Sequence, residues 1–176
     1  VVVTNTYGST TSNAGTITVV PGTLAEFTDG LVAYYPFNGN ANDESSNSNN
    51  ATVHGPALSA DRHGTSNGAY DFDGTNDYLN VPHHESLNIP NGGLTISAWV
   101  KYDTLGSHDE VLLTKGNGDA NNYDYGIMTR ADTDISYSWR TSPSDHRHFD
   151  GDTNLAAEKW CHVTVVHNSG SLPTVY

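Results

Sequence analysis

LTISAWVK, residues 94–101, alternates apolar and polar side chains with a period of two. Successive side chains of a strand point to opposite faces, so Leu94, Ile96, Ala98 and Val100 share one face while Trp99 stands on the other. That is the pattern of a half-buried β-strand. Upstream, Leu31, Ala33, Tyr35 and Phe37 alternate in the same way. Further strands are expected over residues 69–72, 78–81, 110–114, 123–129, 135–140 and 160–167. Gly, Asn, Asp and Pro clusters separate them, and no stretch holds a helical period beyond about three turns. Many short strands with frequent turns predict an all-β sandwich or barrel with antiparallel pairing.

Composition agrees and narrows the partners. Hydrophobic residues make up 35% of the 176, but aromatics reach 10%, and aromatic and β-branched side chains suit strands. Lys and Arg number 7 against 20 Asp and Glu, a net charge of −13 that repels phosphate backbones and anionic lipid. Neither nucleic acid nor membrane insertion is an expected partner, and no apolar run approaches the roughly 20 residues of a membrane span. The single Cys161 forms no disulfide within the chain and supports neither a zinc site nor a redox pair.

Residues 1–4 and 16–20 are β-rich runs joined by a polar stretch, the layout of a hairpin. Two strands alone are marginal in water, so this hairpin is expected to belong to a larger sheet. Residues 21–29, PGTLAEFTD, have the Pro/Gly composition of a linker, and a new unit is expected over 30–176. Both ends read as cut from a longer polypeptide, residues 169–176 resembling a turn that leads into an interrupted strand.

Three separated words carry a family resemblance: GLVAYYPFNGNANDESSNSNNATVHG (30–55), YDFDGTNDYLNVPHHESLNIPNGGLTISAWVK (70–101) and EKWCHVTVVHNSGSLPTVY (158–176). In this order they resemble the laminin-G-like, concanavalin A-like domains of bacterial secreted and surface proteins. TNTYGSTTSNAGTITV (4–19) is similar to the last two strands of a bacterial immunoglobulin-like domain. The resemblance implies an antiparallel jelly-roll β-sandwich, incomplete at its C-terminal end. It further implies a non-catalytic extracellular module, secreted or anchored at the cell surface, that binds carbohydrate or an extracellular protein. Neighbouring domains of the same polypeptide are implied as well. Two other roles remain open: a structural or adhesion spacer, and an accessory domain of a secreted glycoside hydrolase.

Calcium is the one cofactor in view. Residues 38–50, NGNANDESSNSNN, are dense in side-chain oxygens, and Ca²⁺ takes about six to eight of them. The resembled family places a calcium-binding Asp in a D-x-S-G-N word, met here by Asp43, Ser45 and Asn47, with Ser46 where glycine is usual. Asp43, Ser46 and Asn49 are the candidate ligands, against the alternative of a solvated polar loop. The acidic residue that often completes such a site is expected beyond Tyr176.

For a glycan the candidates are Tyr123, Tyr125, Trp139 and Arg140, on expected strands bordered by the polar loops 116–122 and 141–152. Aromatic faces stack on sugar C–H surfaces and Arg bonds hydroxyls, although aromatics on sandwich strands also build cores. No residue is assigned to catalysis. Glycosidases of this fold alternate carboxylates on one strand, about 5 Å apart, and Asp71/Asp73 and Asp132/Asp134 lack the apolar strand context. His83/His84 and His146/His148 read as surface histidines; the second pair falls in an expected loop, with no HExxH word nearby. Asp71, Asp73 and Asp77 read as a hairpin turn bonding its own backbone.

Overall fold

The structure, a computed structural model, describes residues 2–5, 8–11, 29–88, 93–106, 108–116, 123–131, 134–142, 145–151, 155–168 and 170–176. The chain divides into two compact units, Val1–Leu31 and Val32–Tyr176. In the first, β1 (Val2–Asn5) pairs antiparallel with β2 (Gly8–Thr11), from Val2↔Thr11 to Asn5↔Gly8. The expected partner, residues 16–20, lies outside the described residues. Pairing with the nearer Gly8–Thr11 closes a far shorter loop and so costs less chain entropy.

The second unit is built from β3 (Thr52–His54), β4 (Ala57–Ser59), β5 (Ala69–Asp71), β6 (Tyr78–Asn80), β7 (Leu94–Lys101), β8 (Glu110–Gly116), β9 (Tyr123–Thr129), β10 (Ile135–Ser142), β11 (Asp145–Asp150), β12 (Trp160–His167) and β13 (Thr174–Val175). Every pairing is antiparallel: a four-stranded sheet β11-β10-β9-β8, a three-stranded sheet β13-β12-β7, and the pairs β3-β6 and β4-β5. A single 3-10 turn, Glu85–Leu87, is the one helical element among the described residues. The architecture is that of an all-β jelly-roll sandwich.

Apolar side chains of the two larger sheets form the core. Ile127 from β9 and Ile135, Tyr137 and Trp139 from β10 meet Val163 and Val165 of β12, with Leu155 beside them. Ile96 and Val100 of β7 and Val175 of β13 pack against this cluster. Full burial of Ile135 and Val165 (both 0% exposed) is worth about 1.5–3 kcal/mol each. Register explains the division of faces: Val165 opposes Ile96 and Cys161 opposes Val100, while Trp99 opposes His162 on the outer side. The alternation of residues 94–101 is thus realised, with Trp99 pointing away from the core.

Two departures from the expected strands have local causes. Residues 31–37 alternate but join no ladder. The Tyr34 N–H is taken by the Asp43 carboxylate (2.8 Å), its carbonyl by the Glu44 N–H (2.8 Å), and Pro36 has no N–H to give. Conversely, residues 145–150 fall within an expected polar loop and form β11, edge partner of β10. Phe149 packs against the core from that strand, and one apolar anchor plus a ladder suffices at a sheet edge.

Candidate functional site

Asp43 is the centre of the polar loop. Its Oδ1 accepts the N–H groups of Tyr34 and Ser45, both at 2.8 Å; its Oδ2 accepts the Asn49 N–H and the Ser45 hydroxyl, also at 2.8 Å. A second hub lies beside it: the Val32 carbonyl accepts Asn47 Nδ2 (3.0 Å) and Asn49 Nδ2 (3.1 Å), with Ser45 Oγ 3.2 Å away, its one hydrogen directed to Asp43. The Asn49 amide also donates to Ser86 Oγ (3.0 Å), and the Tyr35 hydroxyl to the Asn49 carbonyl (2.6 Å). Burial pushes the Asp43 carboxyl upward, but the four bonds outweigh it and hold the group below the usual carboxylate range. Burial, reinforced by the Asp43 charge, raises the Tyr35 hydroxyl to about 12.

Asp43 and Asn49 are therefore brought together, both buried, while Ser46 is exposed. A carboxylate offers about four lone-pair sites, and here four protein donors fill them. Asn49 presents its NH₂, a donor that no cation accepts, to Val32 and Ser86. As arranged, these residues do not fit a calcium site. Among the described residues no cluster of three or more His, Cys, Asp or Glu could hold a metal. Ser46 needs no glycine-like backbone either; positive φ in this loop falls at Gly39 (94°) and Ser48 (55°).

The four glycan candidates separate. Trp139 is 7% exposed, its ring set against Tyr137 (5.6 Å) and His167 (4.8 Å) in the core. This corrects its assignment as a ligand contact, because no ring face is open to a sugar. Tyr125 is half-buried, donates its hydroxyl to the Leu87 carbonyl (3.1 Å), and has that hydroxyl raised to about 12 by burial and then by the Asp124 charge. Arg140 sits on β10 opposite His146 of β11. Tyr123 opens β9 opposite Gly116, its side chain lying outside the described residues.

The remaining motifs resolve locally. Asp73 Oδ1 accepts the Thr75 N–H (2.8 Å) and Asp77 Oδ2 the Asp73 N–H (3.0 Å), the self-bonded turn expected. It joins strands of different sheets, however, since β5 pairs with β4 and β6 with β3. Asp132 lies outside the described residues. His84 caps the 3-10 turn, its Nδ1 accepting the Ser86 N–H (3.2 Å), and His83 Nε2 lies 3.5 Å from Glu85. His146 and His148 share a face because β11 is a strand, opposite Arg140 and Ser138. Residues 64–68, GTSNG, spell G-x-S-x-G, but Ser66 lies in an exposed turn leading to a strand and not at a strand-to-helix elbow.

An aromatic group that the sequence reading left aside stands on the outer face of β7 and β12. Trp99 is 46% exposed, with the His162 ring 4.9 Å away across the ladder. Ser97 Oγ lies 2.7 Å from His162 Nε2. The Arg62 guanidinium lies over the indole, 4.5 Å from its centroid, within the range of a cation–π contact. Arg62 is delivered by a closed turn: Asp61 Oδ1 accepts the N–H groups of His63 and Thr65 (both 2.8 Å), and the Asp61 N–H bonds the Thr65 carbonyl (3.0 Å). The Thr65 and His63 bonds hold the Asp61 carboxyl below its usual range. The outward position of Trp99 was legible from alternation; the arrival of Arg62 was not.

Residues 72–176, more than half of the chain, match the family described as the concanavalin A-like lectin/glucanases superfamily, of laminin G type. The chain belongs to that superfamily. Trp99 and His162 of this concanavalin A-like domain fall inside the matched residues, whereas Arg62 and Asp43 precede them. The fold is similar to that of residues 221–444 of an S-layer domain-containing protein from Clostridium thermocellum ATCC 27405, solved by crystallography. The TM-score is 0.51 and the identity 24%, over 82% of this chain and 67% of that one. At that identity the likeness speaks for the concanavalin A-like fold alone. Among curated proteins none matches.

Proposed function

We propose that this domain is a non-catalytic binding module that recognises glycans outside the cell, secreted or held at the cell surface. The observation that carries the reading is Trp99, a large aromatic left 46% exposed on a sheet face in a chain of a lectin/glucanase superfamily. Indole faces stack on sugar C–H surfaces. The S-layer context of the similar structure supports an extracellular setting. The carboxylates of Asp73 and Asp77 are engaged in a turn, and Asp71 ends β5, so the three do not alternate along one strand, which supports a non-catalytic role.

The polar loop serves this module as a clasp closed by its own donors. Calcium, the cofactor that the resemblance implies, would have to displace the N–H groups at Asp43. A second reading, a structural or adhesion spacer, is favoured by Val111 (64% exposed) and Leu113 (42%) on β8, an edge strand of its sheet among the described residues.

A glycan array probed with the wild-type chain and with Trp99→Ala tests the first reading. Hits lost on substitution, with an unchanged melting temperature, are expected. An array without hits overturns it in favour of the spacer.

A further inference from the structure

We propose that Trp99, Arg62, His162 and Ser97 form a subsite for a carboxylate-bearing sugar, a uronic acid residue within a glycan. The inference rests on the glycan-binding reading and names the ligand class and the place.

Charge distribution points there first. The chain has 7 basic against 20 acidic residues, so unpaired cations are scarce. Lys101, Lys115, Arg130 and Arg147 each lie within 4.0 Å of a carboxylate. Arg62 and Lys159 have no such pair among the described residues, and of these two Arg62 lies over an aromatic ring, that of Trp99. The carboxylate beside it in sequence, Asp61, turns its Oδ1 to two N–H groups of its own turn and makes no ion pair with Arg62 among the described residues.

Geometry adds the rest. The turn fixes the backbone on either side of Arg62 and sets its guanidinium over the indole, 4.5 Å from the centroid, while Trp99 remains 46% exposed. A guanidinium bonds a carboxylate through two parallel N–H donors, a match that a neutral hydroxymethyl group does not offer. A pyranose lying against the part of the indole that Arg62 leaves exposed would carry its C6 carboxylate toward the guanidinium and its ring hydroxyls toward His162 Nε2 and Ser97 Oγ, already a polar pair at 2.7 Å. The acidic balance of the whole chain disfavours a polyanion, so the fitting ligand carries isolated uronates among neutral sugars.

Two sugars of one ring shape, methyl β-glucuronide and methyl β-glucoside, test this by NMR. The chain has three tryptophans, and the Trp99 indole N–H signal is assigned by its loss in Trp99→Ala. The glucuronide is expected to shift that signal with an affinity about tenfold above that of the glucoside, one charge-assisted contact's worth. Arg62→Gln should erase the preference and keep weak binding of both, and Trp99→Ala should lose both. Both residues that vary are exposed, and melting temperatures confirm that each variant folds. Equal responses to the two sugars, a preference that survives Arg62→Gln, or an equal shift with acetate alone overturns the inference. A Trp99 signal that moves with protein concentration and not with sugar assigns the face to a second copy and overturns it also. Neutral hits on the glycan array that depend on Trp99 and not on Arg62 would leave the glycan reading standing while the uronate inference falls.

Discussion

The apolar core and the Asp43 clasp order comparable lengths of chain by opposite means. Between β10 and β12, burial does the work: Ile135, Tyr137, Val163 and Val165 are at most 2% exposed, and their attraction has no direction. Around residues 32–50 few apolar groups are buried, and six donors converge instead on two acceptors, the Asp43 carboxylate and the Val32 carbonyl. Damage to the first is spread over many contacts. Damage to the second is concentrated in one side chain, because removing an acceptor strands every donor aimed at it.

Substitutions separate the two regimes. Trp139→Ala, which empties the place of a stacked core ring, is expected to cost about 3–5 kcal/mol in urea unfolding. A cost near zero would return Trp139 to the surface and break the contrast. Asp43→Ala should cost about 2–3 kcal/mol, since three backbone N–H groups lose their partner in a partly buried setting. The pH dependence sharpens that second prediction. The folded pKa of Asp43 is depressed, so its contribution is full above the unfolded carboxylate value of about 3.9 and is lost as pH falls through the lower folded value. Asp43→Asn, which keeps one acceptor oxygen, should flatten this acid limb; an unchanged limb would show that the clasp does not depend on the charge. Smallest, and opposite in sign, is Ser136→Ala. Ser136 is 0% exposed and its hydroxyl has no hydrogen-bond partner among the described residues, so its removal should be neutral or stabilise by up to about 1 kcal/mol.

What could be read beforehand follows the same divide. β7, β9, β10 and β12 were legible because a sheet face that enters a core must alternate, and the period is visible in residues alone. The strand that alternation suggested over 31–37 did not form, since its backbone groups are claimed by a carboxylate several residues on. β11 was hidden because His146, Arg147 and His148 have the composition of a loop and only Phe149 marks an inner face. At the site, alternation placed Trp99 outward but could not tell that both faces of β10 are buried, and so Trp139 was read as a ligand contact. Nor does spacing along the chain reveal that a turn at residues 61–65 lies over an indole on β7. Tertiary proximity of that kind has no local signal.

The Arg62 turn is closed on itself by Asp61 and Thr65, and it precedes the residues 72–176 that carry the family's pattern. Platform and charge are therefore separable parts. Exchange of that one turn would rewrite the sign of the potential above Trp99 without disturbing a rung of the β7-β12 ladder. On the proposed glycan-binding reading, revising that surface loop alone changes the preference among sugars, while the sheet beneath continues to supply the same flat aromatic ground.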